Sequence, residues 1–157
     1  MFNRLAHLHG LNARDNPITT IYSRGFAGLF SLAVLDLSRL KLTTIEAYAF
    51  TSLNIYFLNL SRNKINMLDS FIFRGLKRLK LIDLRENMLQ DVKISTFNNL
   101  NALKQLYSDH FKLCCMVPHL KECIPSQTRF NSYDGLFPSA ILRALAYVIS
   151  LTCVAAN

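Results

Sequence analysis

The fold turns on one stretch, FIFRGLKRLKLIDLRENMLQDVKISTFNNL, residues Phe71–Leu100. Leu79, Ile82 and Leu84 follow L-x-x-L-x-L spacing, and Asn87 stands three residues past Leu84. Leu89, Val92, Phe97 and Leu100 complete the apolar set. The alternation around Ile82 predicts a short strand, because residues two apart on a strand share a face. The wider spacing that follows predicts a turn at Asn87 and a return path towards the next strand.

The same pattern recurs on both sides. A first unit runs Leu8, Leu11, Ala13, Asn16, Ile18, Ile21, Phe26, Leu29. A second runs Leu32, Leu35, Leu37, Leu40, Leu42, Ile45, Phe50, Leu53, and a third Ile55, Leu58, Leu60, Asn63, Ile65, Leu68, Phe73, Leu76. A fifth unit starts at Leu103 and Leu106, with Ser108 and Phe111 in the leucine and asparagine places. The asparagine places, 16, 40, 63, 87 and 111, are thus 24, 23, 24 and 24 residues apart. One unit cannot bury its own leucines, so the units must stack around a shared core. This period and residue pattern are those of leucine-rich repeats. The expected fold class is α/β: a leucine-rich-repeat solenoid with a curved parallel sheet and about four to five repeats.

Each repeated place has a physical reason. The asparagine amide can bond backbone groups of adjacent coils where the chain leaves the strand. Leu40 interrupts that ladder, so its turn is expected to rely on water or backbone, or to be a local weak point. Phe26, Phe50, Phe73 and Phe97 are expected to stack as a spine on the convex side. The concave face should carry one column of Asn12, Asp36, Asn59, Asp83 and Tyr107, and a second of Arg14, Ser38, Ser61, Arg85 and Asp109. Repeat proteins use this surface for partners, which makes Asp36, Asp83, Arg85 and Tyr107 candidate ligand contacts. Asp36 and Asp83 are equally common filler in such strands. Asn59-Leu60-Ser61 matches an N-glycosylation acceptor, with the glycan on the concave face.

The chain has 157 residues, 51% apolar and 18% charged, which excludes a disordered chain. Its net charge is +8. Seven basic residues between Arg62 and Arg85 face only Asp69 and Asp83, a local +5. This cluster reads as a solvated face, since no nucleic-acid motif accompanies it, and no nucleic-acid partner is expected. Cys114, Cys115 and Cys123 lie together after the repeats, with Cys153 apart. No zinc spacing is present, and His110 and His119 read as surface histidines, so neither metal nor cofactor is expected. The cysteine cluster points to disulfides in an oxidising compartment. A bridge from Cys123 to Cys114 or Cys115 would pin a cap over the last repeat.

The amino-terminal MFNRLAHLHGLN has no signal-peptide core and already lies inside a repeat, so the chain is expected to be a fragment. After Pro138, the run SAILRALAYVISLTCVAAN has its last charge at Arg143. Residues 144–156 make about 20 Å of helix against the ~30 Å hydrocarbon core. A buried soluble helix is the alternative, but a truncated transmembrane helix fits the capless ending better. The expected domains are repeats over 1–106, a cysteine-containing cap and hinge over 107–138, and the start of a transmembrane helix over 139–157.

The junction carries a resemblance. Repeats ending in SDHFKLCCMVP, then CIPSQ, NSYDGLF and LRALAYVISLTCVAAN, resemble the ectodomain-to-first-helix junction of leucine-rich-repeat-containing G-protein-coupled receptors. The short hinge is similar to the relaxin-receptor-like branch. The resemblance implies hinge disulfide positions at Cys114, Cys115 and Cys123, and a helix-one packing asparagine at Asn157. The family pattern has a further hinge cysteine near NSYDGLF, where this chain has Tyr133, leaving an odd number of hinge thiols. The resemblance also implies a plasma-membrane location with extracellular repeats, and an extracellular peptide or protein ligand such as a relaxin-like hormone. Acidic concave residues meet hormone arginines in such receptors, and Asp36 and Asp83 are the nearest equivalents. A heterotrimeric G protein would meet only the full-length receptor, through helices this chain lacks.

Two functions therefore compete. One is a hormone-receptor fragment. The other is a leucine-rich-repeat adhesion or interaction protein held by a single membrane helix. An enzyme finds no support, because no nucleophile, base and acid set, phosphate loop or metal spacing occurs.

Overall fold

The computed structural model describes residues 5–110, 113, 116, 117, 120 and 122–125, with backbone alone for Asp91 and residues 122–125. Among the described residues ten short strands follow in chain order. β1 (Gly10–Asn12), β3 (Val34–Asp36), β5 (Phe57–Asn59), β7 (Leu81–Asp83), β9 (Gln105–Ser108) and β10 (Glu122–Pro125) form one sheet in that order. Every pairing is parallel. The inward residues Leu11, Leu35, Leu58, Ile82 and Leu106 lie in one register row. All but Leu11 are completely buried. The repeat period thus becomes a column of leucines in the solenoid core.

The convex side departs from the α/β expectation. Across residues 5–110 it holds no α-helix. It is closed by turns, by β2 (Thr20–Ile21) paired with β4 (Thr44–Ile45), by β6 (Met67–Leu68) paired with β8 (Asp91–Val92), and by a 3-10 helix at Ile94–Thr96. The reason is length. A repeat of 23 or 24 residues leaves too short a return path for several helical turns once the strand and the asparagine turn are formed. Leu113 and Met116 are helical, after the repeats.

The phenylalanine spine forms as expected. Phe26–Phe50, Phe50–Phe73 and Phe73–Phe97 have ring centroids 5.7, 6.4 and 5.8 Å apart. The first two pairs are stacked and the third is tilted by 36°, and such contacts add to the stabilisation from area burial. Gly75, two residues past Phe73, has φ +96°, and a Cβ there would stand 2.8 Å from the Thr51 carbonyl oxygen. Glycine is therefore required at this close approach between coils.

The cap expected after residue 106 joins the sheet instead of merely covering it. β10 pairs with β9 in the same parallel sense, placing Cys123 opposite Leu106. Cys114, Cys115 and the expected transmembrane segment 139–157 lie outside the described residues, as does most of the hinge. No helix among the described residues is long and apolar enough to cross a membrane.

Candidate functional site

The concave sheet face is built from strand alternation. The register sets Asn12, Asp36, Asn59, Asp83 and Tyr107 in one row, as the spacing predicts. In four successive coils this row has a local duty. The side-chain oxygen of Asn12, Asp36, Asn59 or Asp83 accepts the backbone N–H two residues on, at 2.9–3.0 Å. Asparagine and aspartate do this equally well, because only one acceptor oxygen is needed. The negative charge at Asp36 and Asp83 is thus additional to what the fold demands. In the fifth coil Ser108 Oγ takes over, accepting from His110 N–H.

The two acids are not equivalent. The Asp83 carboxylate is almost wholly buried and receives Arg85 Nε and Nη2, the latter at 2.6 Å. The same guanidinium lies over the Tyr107 ring, 5.0 Å from its centroid. The hydrogen bond to Asp83 is the main cause that raises the Arg85 pKa, reinforced by the nearby negative groups. Three of the four expected ligand contacts therefore form one internal unit, Asp83–Arg85–Tyr107. Asp36 is half-buried, and among the described residues its carboxylate makes no ion pair. Asn59 lies between the two acids in the register. A glycan on its Nδ2 would stand in the middle of this face.

A further column was not foreseen. Val34, Phe57 and Leu81 are register partners at the start of their strands and share the concave face. Beside them, Arg78 and Lys80 lie over the Tyr56 ring, at 4.6 and 5.2 Å from its centroid. The signal was in the sequence: a residue two before Asp36, Asn59 or Asp83 must share its face. The face therefore runs from apolar and cationic on one margin to acidic in the middle. On the far margin are Ser38, Ser61 and Arg85, followed by Arg39, Arg62 and Glu86 at the turn.

The turn is set by the asparagine ladder. Asn87 Nδ2 donates to the Leu60, Leu84 and Arg85 carbonyls, and its Oδ1 accepts from Ile65 N–H. Asn63 Nδ2 donates to Leu37, Leu60 and Ser61 carbonyls. Its Oδ1 accepts from both Leu40 and Leu42 N–H at 3.0 Å. The Leu40 turn is therefore satisfied by the asparagine of the following coil, an option the expectation of water or backbone had missed. Just before each ladder place, Asp15, Arg39, Arg62 and Glu86 all adopt left-handed backbone, φ 54–61°. Such backbone costs a non-glycine residue about 1–2 kcal/mol.

A profile described as Leucine rich repeat matches residues 6–65 and 54–110. The chain belongs to the leucine-rich-repeat family. This leucine-rich-repeat chain is 34% identical over 61 residues to G-protein coupled receptor GRL101 of Lymnaea stagnalis. It is 29% identical over 66 residues to relaxin receptor 2 of Canis lupus familiaris. These stretches cover 39% and 41% of the chain but 6% and 9% of the relatives. These relatives support the similarity to leucine-rich-repeat receptors of the G-protein-coupled, relaxin-receptor-like kind. Among solved structures, TLR13 in its complex with ssRNA13 superposes with a TM-score of 0.68 at 28% identity, covering 74% of the chain and 18% of TLR13. Human 5T4 superposes with a TM-score of 0.65 at 24% identity, covering 77% and 52%, and shows the fold alone.

Proposed function

We propose that these repeats are the ligand-binding part of a G-protein-coupled receptor ectodomain, with an extracellular peptide or protein as ligand. The observation that carries it is the concave face, where charge beyond the needs of the fold lies beside an apolar column. The GRL101 and relaxin receptor 2 relatives favour this attachment over others. Asp36 is the acid that meets a cationic ligand side chain. Asp83 acts by holding Arg85 against Tyr107, and those two offer the contacts. Asn59 stays unglycosylated, because a glycan there would cover the same surface. Cys114, Cys115 and Cys123 hold the hinge through disulfides, and the apolar carboxy-terminal run enters the plasma membrane with the repeats outside.

The complete coding sequence is the test. Seven apolar spans downstream support the receptor. One span followed by a Lys/Arg cluster and a short tail overturns it in favour of an anchored adhesion or interaction protein, for which the 5T4-like fold leaves room. In the full-length receptor, Asp36→Asn keeps the acceptor oxygen for Ser38 N–H and removes only the charge. Loss of agonist potency by about tenfold, with surface expression intact, is the expected result.

A further inference from the structure

The turn margin of the concave face forms a polar trough of ≈ 290 Å³. Four arginines line it, Arg14, Arg39, Arg62 and Arg85, against the carboxylates of Asp83 and Glu86, which leaves +2. Asp15, just outside, pairs with Arg14 and Arg39 and lowers the balance to +1. Ser38, Ser61 and Asn59 also line the trough.

The ion pairs do not exhaust the guanidinium groups. Glu86 takes Arg62 at Nε, 2.9 Å away, so both Nη groups remain. Asp83 takes Arg85 at Nε and Nη2, leaving Nη1. Arg39 approaches Asp15 only to 3.8 Å. The Arg62 and Arg85 forks are thus held in place and Arg39 is only loosely paired, while part of each is left to bind an oxyanion, which guanidinium groups match in shape. Arg39 and Arg62 also occupy left-handed backbone, at φ 56° and 57°, where glycine or asparagine would be easier.

We propose that this trough binds one sulfate or phosphate ester group on a peptide side chain. The carboxylates decide between a single ester and a polyanion. Asp83 and Glu86 are in the lining and Asp36 stands in the adjoining column, so a continuous run of anions crossing the face would be repelled. A peptide can also cover the neighbouring Val34–Phe57–Leu81 column, which a polyanionic sugar cannot use. The proposal does not depend on the receptor assignment, since the trough belongs to the repeats however they are attached.

The test is titration of the full chain with O-sulfotyrosine amide and O-phosphotyrosine amide, followed through the arginine Nε–H resonances. The variants are Arg39→Asn and Arg62→Asn, which suit the left-handed backbone, and Lys80→Gln on the opposite margin. Saturable binding of either ester is expected, weakened about tenfold by each arginine change and less than twofold by Lys80→Gln. Which ester binds tighter identifies the source. Three results overturn the proposal: no saturable shift with either ester, equal weakening by Lys80→Gln, or binding of a sulfated hexasaccharide without binding of the monoesters.

Discussion

The phenylalanine spine and the concave sheet lie on opposite sides of one core, and they obey opposite rules. On the spine every coil repeats the same residue, so each ring meets its own kind at 5.7–6.4 Å. On the concave face the row changes from coil to coil: Asn12, Asp36, Asn59 and Asp83 share a backbone contact but alternate between neutral and charged, and Tyr107 ends the row with a ring. Repetition is what a stacked core needs, because each coil is the wall of the next. Variation is what recognition needs. The difference teaches where in this molecule to look for stability and where to look for binding.

Three paired substitutions and one single change put that division under strain. The largest contrast is between two phenylalanines. Phe73→Ala should destabilise by about 3–5 kcal/mol, and Phe57→Ala, half-buried on the concave side, by about 1 kcal/mol. Equal midpoint shifts in urea would erase the division. Next, Asn63→Ala removes an amide serving five backbone groups and should cost about 3 kcal/mol, against under about 1 kcal/mol for Asn16→Ala, which bonds only within its own coil. A similar cost for both would mean that the ladder does not couple coils.

Gly75→Ala should cost about 2 kcal/mol, because strain at positive φ adds to the clash with Thr51. Gly10, with open space around its Cβ position, should tolerate alanine with a change under about 0.5 kcal/mol. Thermal melts of the two variants make the comparison directly. Smallest of all, Glu86→Gln breaks an exposed pair with Arg62 and should shift stability by less than about 1 kcal/mol. A larger loss would show that the turn margin is structural and not available for binding.

What could be seen in the sequence follows the same line. The leucine columns, the spine and the main concave row were legible because each is a fixed offset from the asparagine place, and the period carries them all. The Asp83–Arg85 pair had a visible signal too, since residues two apart on a strand share a face, but shared facing alone does not reveal that Arg85 turns back onto the acid. Val34, Phe57 and Leu81 were overlooked because apolar side chains invite assignment to the core, although each stands two residues before a concave acid or amide and so shares its face. The helices of the α/β expectation were lost to repeat length. The place of β10 was hidden for a different reason: it pairs across a segment with no repeat spacing, and long-range pairing leaves no local pattern to read.

The leucine at position 40 has one more consequence. Asn63 links the third coil to the second, and Asn87 links the fourth to the third. Among the described residues no asparagine rung joins the second coil to the first at this turn; there the backbone bonds Ala13 N–H to Asp36 and Asp15 N–H to Ser38 continue without it, and on the convex side Glu46 accepts from Ser23 N–H and Thr43 Oγ1 donates to the Thr19 carbonyl. A stack of coils behaves as a one-dimensional chain of coupled units, and its weakest coupling determines where it comes apart. Under mild denaturant the first coil should peel away as a unit. Its amides would exchange with solvent while those of β5 and β7 stay protected. The stack would part first between its first and second coils, where one rung of the ladder is missing.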